Sequence, residues 1–82
     1  MKTHDDLIAL FKQVATEVDK REFTEVSGGS VISELGIDSL SMMQIVGEME
    51  VRLNIMIPDE DLVELVTVSD LVKVVEKRLR GT

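Results

Sequence analysis

Apolar residues Leu7, Ile8, Phe11, Val14, Ala15 and Val18 recur at three- and four-residue spacing, which gathers them on one face of an α-helix. Thr3, Asp5 and Asp6 ahead of them provide a cap and the negative charge that a helix N-terminus favours, so a first helix is predicted over about residues 4–18. No period is sustained from Asp19 to Asp38, and Ser27-Gly28-Gly29-Ser30 marks the stretch as a connection. Connections this long are uncommon in compact domains and are usually functional or disordered. Phe23, Val26, Val31, Ile32 and Leu35 predict that this one is pinned to the core, with Ser30 as a cap for a single turn through Leu35 and Gly36 ending it.

From Ser39 onward Leu40, Met43, Val46, Met49, Glu50 and Leu53 alternate in a helical manner up to the break at Asn54 and Pro58, which predicts a second helix. Gly47 in its middle costs about 1 kcal/mol relative to alanine, a sign that something packs or approaches closely there. After Pro58, Asp59-Glu60-Asp61 suits a helix start, with Leu62 and Leu65 facing inward from a short third helix. Thr67 is a fitting N-cap for a last helix carrying Val68, Leu71, Val72, Val75 and Leu79, and the basic residues before Gly81 complement its C-terminus. Residues 1–82 are therefore expected to form one all-α domain. Its expected form is a four-helix bundle with three longer helices, one short third helix and a long loop between the first two.

Composition narrows the function. The chain has 44% hydrophobic residues but only 2% aromatics, so the core must be built from Val, Leu, Ile and Met, with Phe11 and Phe23 as the only rings. Without cysteine there is no disulfide, no thiolate metal site and no nucleophilic thiol of the protein's own. The formal charge is −7, and residues 22–70 hold eleven acidic residues against the single base Arg52. That distribution repels nucleic acid and suits basic protein partners. No apolar run spans a bilayer and no signal segment opens the chain, so no membrane association is expected and the protein is placed in the cytoplasm. The cluster Asp59-Glu60-Asp61 lacks the alternating order of a calcium loop, so no dedicated metal site is predicted. Met42, Met43, Met49 and Met56 read as fillers of core gaps, with one or two left at the surface.

The chemistry concentrates in Glu34-Leu35-Gly36-Ile37-Asp38-Ser39-Leu40. A tight turn at Gly36, a buried anchor at Ile37, an acid, a serine and the first core residue of a helix, Leu40, follow in order. This order presents Ser39 at an exposed helix N-terminus, where unpaired N–H groups and the helix dipole receive an anion well. A serine before a helix is ordinarily an N-cap and nothing more. The surroundings change that reading, because Leu35-Gly36-Ile37-Asp38-Ser39-Leu40 resembles the attachment motif of acyl carrier proteins. Ile57-Pro58-Asp59-Glu60-Asp61 resembles the start of that family's third helix, and Thr67-Val68 the start of its fourth, with the likeness running from about residue 31 to 76.

The resemblance implies that Ser39, flanked by Asp38 and Leu40, receives 4′-phosphopantetheine from coenzyme A through a phosphopantetheinyl transferase, making the chain a phosphoprotein that carries acyl groups as thioesters. No catalytic residue is implied, since the only histidine, His4, is assigned to a mobile N-terminus. The family's docking face maps to Asp38, Gln44, Gly47, Glu48, Glu50, Val51, Ile57, Asp59 and Glu60. Its partners are ketosynthases, acyltransferases and other biosynthetic enzymes with basic docking surfaces, and the carrier itself is expected to be a monomer. Ser41, Gln44, Gly47 and Val51 depart from the acidic or larger residues of fatty-acid carriers, which gives weight to polyketide or specialised lipid assembly beside fatty acid biosynthesis. Two other readings remain: a peptidyl carrier with aminoacyl cargo, and an unmodified helical interaction module using its acidic face alone.

Overall fold

The computed structural model describes residues 3–81. Three α-helices carry the fold: α1 (His4–Asp19), α2 (Ser39–Leu53) and α3 (Val68–Leu79), with single 3₁₀ turns at Ile32–Leu35 and Asp59–Leu62. Both α1 and α3 begin with reciprocal caps. Thr3 Oγ1 accepts the Asp6 N–H at 3.1 Å while Asp6 Oδ2 accepts the Thr3 N–H at 3.0 Å, and Thr67 and Asp70 repeat the arrangement at 3.1 and 3.0 Å. Lys20 and Asn54 take left-handed conformations that end α1 and α2.

The core is one cluster. Leu7, Phe11, Val14 and Ala15 of α1 meet Ile45, Val46 and Met49 of α2 and Val68, Leu71, Val72 and Val75 of α3, with Phe23, Ile32, Ile37 and Ile57 added from the connections. Both α2 and α3 pack against α1, so α1 is the hub of the bundle. At ~100° per residue, the seam set by Ile45, Met49 and Leu53 turns Leu40 to the opposite side of α2. Leu40 is accordingly 68% exposed and Met43 64% exposed, which corrects the expectation that Leu40 begins the core face.

The segment after Pro58 differs from the expected short helix. It closes a single 3₁₀ turn, Asp59–Leu62, because its two inward residues, Leu62 and Leu65, are only half-buried and so brief a stretch gains little to offset helix nucleation. Arg78 Nη2 ties it to α3 through Asp61 Oδ2 at 2.8 Å. Gly47 also differs: a Cβ there would meet nothing within 4 Å, so no neighbouring group requires a glycine. His4, expected to be mobile, begins α1 with its Nδ1 3.4 Å from Glu76 Oε1 of α3.

Backbone hydrogen bonds pin the long connection to the start of α3. Ser69 N–H donates to Gly28 O at 2.8 Å, Val68 N–H to Ser30 O at 3.0 Å and Ile32 N–H to Val66 O at 2.9 Å, around an isolated bridge between Val31 and Thr67. Ser30 contributes to this seam through its carbonyl. Its hydroxyl accepts the Ser27 N–H at 3.0 Å instead of capping the 3₁₀ turn, which begins after Val31 with no side-chain cap. Gly36 ends that turn at φ 80°, as a glycine does with least strain.

Candidate functional site

Ser39 is the first residue of α2 and is exposed. The capping role expected of a serine falls to its neighbour: Asp38 is extended at φ −86°, ψ 179°, and its Oδ1 accepts the Ser41 N–H at 2.8 Å. That backbone bond, with lesser help from the Ser41 hydroxyl and the Leu40 N–H, holds the Asp38 carboxyl below the ordinary aspartate range. Asp38 thus fixes the start of the helix and relieves Ser39 of capping duty. The two residues before it set the approach: Gly36 turns the backbone and Ile37, 5% exposed, anchors it in the core.

Beside Ser39 lies a groove of about 430 Å³, within the range of small-molecule sites. Ile32 and Ile37 line it from the buried side, Met42 and Met43 from α2, and Leu62, Val63, Leu65 and Val66 from the segment before α3. Ser33, Asp38 and Ser39 are its polar lining residues. Ser39 therefore adjoins an apolar recess. Spacing along the sequence predicts Leu62 and Leu65 as inward-facing but does not reveal the groove, because its walls come from three separate segments.

The residues assigned to a docking face separate into three groups. Asp38, Gln44, Glu48, Val51, Asp59 and Glu60 are exposed, with Val51 at 77%. Gly47 and Glu50 are half-buried, and the Glu50 carboxylate is engaged: its Oε2 accepts the Ile57 N–H at 2.7 Å. Ile57 is 5% exposed, and its place in the buried apolar cluster removes it from the surface set. Glu48 is shared with Arg52, whose Nε lies 3.2 Å from Glu48 Oε1 and whose Nη2 bonds Glu17 of α1. Those carboxylate bonds raise the Arg52 pKa and lower that of Glu17. Among the described residues no helix is long and apolar enough to cross a membrane.

Residues 6–75 match the family described as "Phosphopantetheine attachment site". The acyl carrier protein of Rhodococcus erythropolis is 40% identical over 76 residues, covering 92% of this chain and 84% of that protein. The meromycolate extension acyl carrier protein of Mycolicibacterium smegmatis is also 40% identical, over 92% of this chain and 77% of its own length. A non-reducing polyketide synthase of Emericella nidulans is 37% identical over 70 residues, which are 85% of this chain but only 3% of the synthase. The crystal structure of an acyl carrier protein from Thermotoga maritima superposes with a TM-score of 0.89 at 29% identity, covering 95% of this chain and 92% of that one. The residues present fit a phosphopantetheine: a serine hydroxyl without capping duty, exposed at a helix N-terminus, next to an apolar recess. Matched over most of its length in sequence and in fold, the chain belongs to the phosphopantetheine-attachment family, that of the acyl carrier proteins.

Proposed function

We propose that Ser39 carries the 4′-phosphopantetheine and that the chain shuttles acyl intermediates in polyketide or fatty-acid-like biosynthesis without catalysing a step itself. The observation that carries this reading is the exposed Ser39 hydroxyl at the start of α2, with Asp38 doing the capping in its place. The prosthetic group supplies a terminal thiol that holds acyl groups as thioesters. The protein's own residues position that arm and identify the carrier to its partners. Asp38 and Gly36 set the direction in which Ser39 projects, and Leu40 beside it offers an exposed apolar contact to the modifying transferase.

Partner enzymes, among them the transferase, ketosynthases and acyltransferases, dock along α2 and the turn that follows Pro58. Leu40, Met43 and Val51 form an exposed apolar stripe there, interrupted by the open position at Gly47 and bordered by Glu48, Asp59 and Glu60. Basic residues on a partner answer the acidic border, and an apolar side chain seats on the stripe. The stripe separates this surface from an all-acidic one and favours a dedicated biosynthetic partner set. In the same reading the protein works as a cytoplasmic monomer, and the groove shelters the first carbons of its cargo.

Incubation with coenzyme A, magnesium and a broad-specificity phosphopantetheinyl transferase, followed by intact mass measurement, tests the attachment. The wild-type chain gains one phosphopantetheine mass and Ser39→Ala gains none. A wild-type chain that stays unmodified would sink the proposal in favour of an interaction module. Equal loading by an adenylation enzyme with an amino acid would turn it toward a peptidyl carrier.

A further inference from the structure

The loop that delivers Ser39 is held by a residue far from it in sequence. Arg21 follows the left-handed Lys20 at the end of α1, and its Nη2 donates a hydrogen bond to Leu35 O at 2.8 Å. The same nitrogen lies 3.4 Å from Asp19 Oδ2, while the guanidinium carbon stands 4.4 Å from the centre of the Phe23 ring, itself 6% exposed. The guanidinium also rests against Gly36: a Cβ at that position would come within 2.9 Å of Nη2 and 3.4 Å of Nη1. A planar cation is thus placed by an acid and an aromatic ring, and it grips the backbone where the 3₁₀ turn gives way to the approach to Ser39.

This is more structure than an exposed arginine ordinarily has. Holding so long a side chain in one arrangement costs rotamer entropy, which several simultaneous contacts are needed to offset. Its target is the carbonyl of Leu35, the last residue of the 3₁₀ turn, and the next residue is the one with φ 80°. On the far side of that glycine only Ile37 and Asp38 separate the turn from Ser39. Ser39 is itself the first residue of α2, so unwinding of that first turn requires the Gly36–Asp38 approach to move, and the Arg21 bond to Leu35 O opposes that movement.

We infer that Arg21 is a positioning residue for phosphopantetheine attachment: it clamps the Leu35–Gly36 backbone and thereby fixes where the Ser39 hydroxyl is offered to the transferase. The inference rests on the reading of Ser39 as the attachment point. Because the docking surface on α2 does not include Arg21, loss of the clamp leaves transferase binding intact and lowers the frequency of productive hydroxyl placement. The signature is a fall in kcat with KM unchanged.

The test is steady-state loading of the full chain by a broad-specificity phosphopantetheinyl transferase with coenzyme A, together with amide NMR spectra of each variant. Arg21→Ala is expected to lower kcat about tenfold at unchanged KM and to shift the amide signals of Gly36, Ile37 and Ser39 while leaving those of α3 in place. Arg21→Lys, which keeps a cationic donor able to reach Leu35 O, is expected to recover most of that loss. Should Arg21→Ala fail to fold, Arg21→Gln takes its place with an intermediate kcat expected. An unchanged kcat, a loss seen only in KM, or a loss that Arg21→Lys does not recover overturns the clamp. A wild-type chain that is never loaded overturns the attachment reading itself, so the two failures are distinct.

Discussion

Replacing Gly47 by alanine should make the protein more stable. Gly47 lies in the interior of α2 with an ordinary helical backbone, where glycine is about 1 kcal/mol less favourable than alanine because the unfolded chain gains more freedom from it. A methyl group added there meets nothing within 4 Å, so no steric loss subtracts from the gain. For a domain of 82 residues, an unfolding entropy of about 2.1 cal/mol/K per residue amounts to ~0.17 kcal/mol/K, and 1 kcal/mol becomes a rise in Tm of about 6 °C. Thermal melts of the unmodified protein followed by far-UV circular dichroism read this directly, and the urea midpoint should rise in parallel at constant m value. A Tm that stays put or falls would refute the reasoning, since it would show a neighbour or a backbone requirement at Gly47 that the structure does not contain. A confirmed rise would show that nothing within the fold requires a glycine at this position.

Gly36→Ala should act in the opposite direction. A side chain at φ 80° costs ~1–2 kcal/mol and must also push Arg21 aside, and a lowered urea midpoint checks this. Thr67→Ala removes the side-chain half of the α3 cap and should cost about 1 kcal/mol by the same measurement. The Asp38 carboxyl has a lowered folded pKa, so its contribution to α2 is fully present above the ordinary aspartate range and is lost as pH falls through the lower folded value. The chemical shift of the Ser41 amide proton should accordingly follow the Asp38 carboxyl with a midpoint below the ordinary aspartate value, and a midpoint at or above that value would contradict the capping bond.

Local signals in the sequence carried most of what proved readable. Thr67 announces α3 and Gly36 ends the first 3₁₀ turn because caps and left-handed turns depend on a few adjacent residues. The Asp38-Ser39 pair is legible for the same reason, and the structure adds the helix cap to Asp38. Leu40 misleads because hydrophobicity shows that a residue is apolar but not which way a helix is turned; the phase is set by Ile45, Met49 and Leu53 packing on α1. Ile57 misleads in the other direction, since nothing local reveals that the chain after α2 folds back over the core. The groove and the Arg21 contacts join residues distant in sequence and leave no periodic trace.

Because α2 and α3 are each fastened to α1, the bundle resembles a book with α1 as its spine. The groove by Ser39 opens between α2 and the segment leading into α3, away from that spine. A guest pushing between those leaves would strain loop contacts and the Asp61–Arg78 link while the helix pairs along the spine stayed bound.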